Sequence, residues 1–310
     1  MRGRALAFAG ASGLAALVPS ALRAQTAPIR IGQNATDTFG EGYYANDNGA
    51  FKAAGLSVEV STFPNGAAQA AACAGGTIDV GLGEAIELAN GIARGLPFGV
   101  FAGGSLYESA APVSALAIAP DAPYRVAKDF EGQTIAVPVV ISLSSMAVKA
   151  WLVQNGADLT KVRFIELGQG AMAPAIARGT VAAAHIGEPS LSAAGATIRK
   201  LATPYDAIAK QFYISDWFAR REWLAANAAV VKRMIGVIYD TARWANEHRD
   251  ASAAILAKYS KLDIDRVRGM RRSAYATALD ARMIQPVLDA AFAYGGLPRH
   301  FDAAELIVRG

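Results

Sequence analysis

Strand-like apolar runs alternate along this chain with segments of about ten residues whose small and apolar positions repeat at helical spacing. Residues 29–33 predict a strand that ends in a polar, glycine-containing stretch at 34–42. Residues 43–53 predict a helix closed by Gly55, and Leu56-Ser57-Val58-Glu59-Val60 alternates as a half-buried strand does. Asn65-Gly66 opens a loop, and 67–74 predicts a helix of small residues stopped by Gly75-Gly76. A strand at 77–82, a helix at 84–94 and a strand at 97–102 complete this first series. Strands separated by helices of this length pair in parallel through right-handed crossovers, so the pattern reads as α/β.

The series restarts after Pro112. Strands are predicted at 114–119 and 133–137, then a helix at 142–154 that begins with serines and stops at Asn155-Gly156. A strand at 162–167, a helix at 171–177 and a strand at 181–186 follow. Pro189 then opens a short helix ending at Gly195, before a strand at 198–202 and an apolar, extended stretch at 212–219. From Glu222 the pattern turns helical, with blocks at 227–247, 251–259, 263–279 and 284–294. In the first block Val230, Met234, Val237, Ile238, Thr241 and Trp244 share one face, while Lys232, Arg233, Asp240 and Arg243 take the other. That division marks a helix packed on a core.

Composition narrows the classes. Of 310 residues, 53% are apolar and 18% charged, which excludes a disordered chain. The start reads as an address: Met1-Arg2-Gly3-Arg4 is basic, residues 5–18 are uncharged and apolar, and Pro19-Ser20 precedes a small-residue cut after Ala24. The apolar run is shorter than the ~18–20 residues a bilayer span needs. Residues 1–24 are therefore expected to be a secretory signal, and the mature chain to be periplasmic. Three arginines and no acid leave with that segment, so the net charge of +4 becomes +1. A net charge so small gives no ground for a nucleic-acid partner, and none is expected. The single cysteine, Cys73, excludes an internal disulfide and an all-cysteine metal cluster, and no metal is expected.

Five local patterns then occur in order. They are Gly49-Ala50-Phe51-Lys52-Ala53-Ala54-Gly55-Leu56-Ser57-Val58-Glu59, Ala74-Gly75-Gly76-Thr77-Ile78-Asp79-Val80-Gly81 and Asp129-Phe130-Glu131-Gly132-Gln133-Thr134-Ile135-Ala136-Val137. Ala177-Arg178-Gly179-Thr180-Val181-Ala182-Ala183-Ala184 and Gly187-Glu188-Pro189 follow them. The chain resembles the solute-binding proteins of ABC importers in the nitrate, sulfonate and taurine group, over about residues 29–219. The resemblance implies a two-lobed type II periplasmic-binding fold, each lobe a mostly parallel sheet flanked by helices, with a helix-rich C-terminal tail. Lobe 1 would comprise residues 28–112 and 216–310, and lobe 2 residues 113–215. It also implies an ABC permease and its ATPase as partners, no cofactor, and a monomer.

In open parallel sheets ligands bind where strand carboxyl ends meet helix N-termini. The loops so placed are 33–39, 64–66, 83–84 and 103–105 in lobe 1, and 138–145, 168–171 and 187–189 in lobe 2. They supply the candidate ligand-binding residues Gln33, Asn34, Phe39, Asn65, Gly66, Glu84, Ser105, Ser142, Ser144, Ser145, Gln169, Gly170 and Glu188. The serines either hold solute with hydroxyls and amides or cap the helix behind them. Asn65-Gly66 either faces the cleft or forms a plain turn. Gly168-Gln169-Gly170-Ala171 leaves backbone open to close approach, but no Gly-Lys-Ser/Thr follows it, so it is not a phosphate loop.

Glu84 and Glu188 stand at loop positions where no Lys or Arg does, and a carboxylate beside a bound nitrate repels it. Glu188 either bonds nearby backbone amides or contacts solute, and Glu84 either caps its own helix or accepts hydrogen bonds from a polar or amine-bearing solute. The expected ligand is thus a small polar organic solute, a sulfonate, carboxylate or related compound, rather than a bare inorganic anion. Enzyme signatures are missing. His185, His248 and His300 are the only histidines, His185 reads as a satisfied core residue, and no Gly-x-Ser-x-Gly or His-Glu-x-x-His occurs. A related group that makes the thiamine pyrimidine carries a Cys-Cys-Cys-Phe-Cys motif, which this chain lacks. The function expected is solute capture for an ABC importer. A sensing subunit for a membrane receptor and a secreted small-molecule enzyme are the alternatives.

Overall fold

The computed structural model describes residues 27–308, so the signal segment expected at residues 1–24 lies outside the described residues. The strands are β1 (Ile29–Asn34), β2 (Val58–Phe63), β3 (Val80–Gly83), β4 (Phe98–Gly103), β5 (Ser105–Glu108), β6 (Ser114–Ile118) and β7 (Thr134–Val137). The others are β8 (Arg163–Glu166), β9 (Ala183–Gly187), β10 (Arg199–Ala202), β11 (Gln211–Tyr213), β12 (Asp216–Arg220) and β13 (Ala274–Tyr275). They form a sheet in the order β2-β1-β3-β12-β4, another in the order β10-β6-β9-β7-β8, and a small one, β11-β5-β13.

The two large sheets share one plan. In the first, β1 pairs in parallel with β2 and β3, and β12 runs antiparallel between β3 and β4. In the second, β7 pairs in parallel with β8 and β9, and β6 runs antiparallel between β9 and β10. Each sheet therefore keeps its own four strands pointing one way and admits a single reversed strand. The reversed strands, β6 and β12, flank the chain's passage through the second sheet.

Both faces of each sheet are covered, which is why the strands read as nearly continuous apolar runs. Side chains alternate between faces. Val80, Leu82, Trp217 and Ala219 pack with Met234 and Ile238 of the helix Ala228–Glu247, whereas Phe218 turns to the opposite layer with Ile86 and Phe98. In the second sheet Leu116 and Ile135 meet Val148 and Leu152 of the helix Leu143–Gln154. Ala115 and Ala136 lie on the other side with Met172 and Ile176.

Three local expectations change. The helix expected at 43–53 is two pieces, Glu41–Asp47 and Ala50–Ala53, broken at Gly49, whose φ of 78° is the left-handed region that glycine enters most cheaply. The stretch 212–219 is two strands of different sheets rather than one. The helix expected at 263–279 stops at Gly269, and β13 replaces its second half, joining the small sheet beside β5. Side-chain bonding at the end of β1, described below, draws that segment out of helical form.

A buried acid sits under the first sheet. Glu41 is fully enclosed, accepts a 2.6 Å hydrogen bond from Trp217 Nε1 through Oε2, and leaves Oε1 without a partner. Desolvation pushes its carboxyl from 4.5 up to about 8, and Asp216, equally buried with neither oxygen partnered, is also held well above the ordinary carboxylate range. The folded chain therefore keeps a Glu41 proton that the unfolded chain loses, and stability falls as pH rises from about 4.5 to about 8. The slope is at most about 1.4 kcal/mol per pH unit. Glu41→Gln keeps the acceptor for Trp217 and removes the proton. Its melting temperature relative to the parent chain should therefore climb between about pH 5 and about pH 8. A pH-independent difference would show an ionised Glu41.

Candidate functional site

The strand carboxyl ends of the two large sheets face one another across a cavity of about 370 Å³, within the range of small-molecule pockets. The loop after β1 contributes Asn34, Thr36, Asp37, Thr38 and Phe39, the loop after β2 contributes Pro64 to Gly66, and Glu84 and Glu87 follow β3. On the facing side stand Pro138, Val139, Ser142 and Ser144 after β7, Gly168 and Gln169 after β8, and His185, Gly187 and Glu188 at the end of β9. Ser114 joins them because β6 is reversed, which brings its beginning to the same edge. Tyr205, Ile214 and Ser273 close the wall.

Of the residues expected from sequence, the structure brings Asn34, Phe39, Asn65, Gly66, Glu84, Ser142, Ser144, Gln169 and Glu188 to this cavity. Gln33, Ser105, Ser145 and Gly170 lie outside its lining. Gln33 is buried and spends its amide on Gly32 O at 2.8 Å and the Gly42 N–H at 3.0 Å. The Ser105 hydroxyl lies 2.8 Å from Thr38 O and 2.9 Å from Ser215 Oγ, tying the two chain crossings together. Ser145 is enclosed in the first turn of its helix, and Gly170 points to solvent at the start of Gln169–Ala177.

Several lining residues are occupied with building the walls. Asn65 Oδ1 caps the helix Gly66–Ala74 through the Ala68 amide at 2.8 Å, and Ser142 Oγ accepts from Ser145 N and donates to Val139 O. Gln169 Oε1 accepts from Gly187 N at 3.0 Å, and both oxygens of Glu188 are taken by Ser192. Ser144 Oγ meets the Tyr205 hydroxyl at 3.3 Å.

Asp37 is the most heavily bonded group in the wall. It is 3% exposed and pairs with Arg272, itself 7% exposed, whose Nε and Nη2 lie 3.0 and 2.8 Å from Oδ1. Tyr44 OH donates to the same oxygen at 2.9 Å, the Tyr275 hydroxyl lies 3.1 Å from it, and Ser273 N donates to Oδ2 at 2.6 Å. These contacts hold Arg272, Ser273 and Tyr275 against the end of β1, past the helix that ends at Gly269.

Glu84 and Glu87 lie one helical turn apart. Glu84 Oε2 accepts from Leu143 N, the first amide of the facing helix, at 2.9 Å, a bond that spans the two lobes. Glu87 Oε2 receives the Glu84 amide at 3.4 Å and packs where a Cβ at Gly66 would collide with it. Desolvation deep in the cleft raises both carboxyls above the usual range, Glu87 further because of the Glu84 charge beside it. Both keep some surface open to the cavity.

His185 differs from its sequence reading. It is 1% exposed, yet neither ring nitrogen has a hydrogen-bond partner, and desolvation lowers it to about 4, so the ring is neutral at physiological pH. Ser114 Oγ is likewise buried and unpartnered. The residues expected from sequence leave out Asp37, Glu87, Ser114 and Tyr205, with His185 expected in the core instead. The available signals were the i, i+3 spacing of Glu84 and Glu87, and a histidine at the carboxyl end of a strand.

A sequence profile described as NMT1/THI5 like matches residues 37–252, more than half of the chain. The chain belongs to the NMT1/THI5-like family. Among the family's relatives, a protein of Brucella abortus (strain 2308) that bears a binding-protein name is 27% identical over 258 residues, covering 79% of this chain and 76% of that protein. The periplasmic aliphatic sulphonate-binding protein SsuA of Escherichia coli superimposes with a TM-score of 0.76 at 20% identity, covering 91% of this chain and 92% of the other. The periplasmic nitrate-binding protein NrtA of Synechocystis PCC 6803 does so with 0.74 at 14% identity, covering 90% and 84%. The fold is thus the type II periplasmic-binding fold. The desulfurization enzyme DszB shares it at a TM-score of 0.68 and 14% identity, covering 91% of this chain and 96% of that one, so the fold alone does not decide between binding and catalysis.

Breaking the Asp37–Arg272 pair from one side leaves a bare buried charge. Arg272→Ala should cost about 3–5 kcal/mol in urea unfolding, while the double variant Asp37→Ala/Arg272→Ala recovers part of that loss. A single-variant cost under about 1 kcal/mol would mean that the pair is solvated.

Proposed function

We propose that this chain captures a small polar organic solute between its lobes in the periplasm, as a monomer, and delivers it unchanged to an ABC permease and its ATPase. One observation carries the reading. A cavity walled by both lobes contains buried polar groups, the His185 nitrogens and Ser114 Oγ, that no protein group satisfies. Such groups are costly unless something else bonds them, and a ligand held by both walls does so. The solute then favours the closed arrangement by its differential affinity for it. The names of SsuA and NrtA, sulphonate-binding and nitrate-binding, agree with a solute-binding role for this fold.

The enzyme alternative draws support from DszB, but this cavity offers little to it. Cys73 is buried outside the lining, with desolvation pushing its thiol up to about 11. Ser144, the serine hydroxyl nearest a catalytic arrangement, meets a tyrosine rather than a histidine base.

Calorimetry and small-angle scattering against a metabolite library test the reading. A solute that binds, compacts the scattering envelope and is recovered chemically intact is expected; turnover of any bound compound overturns it. With that solute, Ser144→Ala should weaken binding by about two- to tenfold, the worth of one hydroxyl hydrogen bond, at a nearly constant melting temperature.

A further inference from the structure

The cavity holds an unbalanced set of charges. Four carboxylates line it, those of Asp37, Glu84, Glu87 and Glu188, and no lysine or arginine does so among the described residues. Asp37 is neutralised from behind by Arg272, and Glu188 is turned onto Ser192. Glu84 and Glu87 remain, side by side on one helical turn, with no cation against either among the described residues. Each has an oxygen fixed by a backbone amide, Glu84 Oε2 by Leu143 N and Glu87 Oε2 by Glu84 N, and the two form a capping box at the start of the helix Ala85–Ala93, which aims both side chains. Opposite them, His185 is enclosed, uncharged and unpartnered at both nitrogens, so it offers one acceptor and one donor to whatever occupies the space.

From this arrangement we propose that the solute presents a cationic amine or amidine, received by the Glu84–Glu87 pair on one lobe and hydrogen-bonded by His185 on the other. This rests on the solute-binding reading and narrows its ligand class away from the sulfonates and nitrate bound by proteins of the same fold. In a poorly solvated cleft a cation draws this pair into its ionised form, and its N–H groups then donate to the carboxylate oxygens in charge-assisted bonds, whereas an anion gains nothing from the negative charge that the pair keeps. The cavity is also far larger than a single nitrate ion fills. Binding of a cation should drive proton release from the pair, since burial and mutual repulsion otherwise keep a proton there.

The test uses the full chain freed of bound solute, with agmatine, putrescine, ethanolamine and benzamidine as cationic probes and nitrate and ethanesulfonate as anionic ones. Thermal shift and calorimetry should show binding of at least one cation and of neither anion. Glu87→Gln preserves shape and the acceptor for the Glu84 amide, and should weaken the cation at least tenfold; Glu84→Gln serves if that variant does not fold. Binding of ethanesulfonate or nitrate with every cation silent overturns this proposal and leaves solute capture standing. Cation binding indifferent to both substitutions overturns the assignment to the pair. Silence from all probes overturns the proposal, and chemical turnover of a bound probe overturns the solute-binding reading beneath it.

Discussion

The Asp37 carboxylate holds this structure's cavity open to a defined shape. It opens a single 3-10 turn, Asp37–Phe39, just past the end of β1, where no strand ladder fixes the backbone, and it is buried. A buried carboxylate is tolerable only when its charge is paired and its lone pairs are bonded. Here Arg272, Ser273, Tyr44 and Tyr275 meet that demand, and three of the four come from a segment more than 200 positions further along the chain. The loop carrying Thr36, Thr38 and Phe39 is thereby pinned to the returning tail, and its wall of the cavity inherits the rigidity of the helical layer beneath.

The same loop also touches the place where the chain crosses between sheets. The hydroxyls of Ser105 and Ser215, one on each crossing, both lie 2.8 Å from Thr38 O, and Gly104 N donates to Ser215 O at 2.9 Å. A Cβ at Gly104 would press on Ser215, so only glycine lets the crossings run this close. Any rotation of one lobe on the other must pass through these adjacent strands. The Glu84 bond to Leu143 N, on the far side of the cavity, and the Lys149 Nζ bond to Tyr294 O are direct hydrogen bonds that such a rotation would have to break or remake. Cavity shape and lobe position are consequently coupled through a few polar contacts at opposite edges of the cleft.

The alternation of strands and helices was legible because burial of both sheet faces writes continuous apolar runs into the strands and glycines into the helix ends. The loops of the cavity were legible for a related reason, since parallel strands put their carboxyl ends at one edge. What those signals omit is partnership. Nothing local marks 263–279 as broken; its helical pattern is sound until Asp37, far away in sequence, claims Arg272 and Tyr275. Nothing local shows that Gln33 is consumed by the backbone, and Ser105 by Thr38 O and Ser215, while Glu87 keeps surface on the cavity. Glu188 is the exception, because Ser192 stands four positions ahead and the bond is visible in the sequence once looked for.

His185 shows how such an omission arises at the candidate site. In a folding core a buried imidazole finds a partner, because the chain has many ways to supply one and an unmet donor or acceptor costs about 1–3 kcal/mol. Its neighbour Tyr205, with ring centroids 5.1 Å apart, instead directs its hydroxyl to Ser144. Ser114, two strand positions from the His185 register partner Leu116, is left in the same state. Two unmet polar groups on neighbouring strands, both facing one cavity, are a cost that folding alone does not recover. The proposed guest recovers it, and the local rules of sequence fail where the missing partner lies outside the chain.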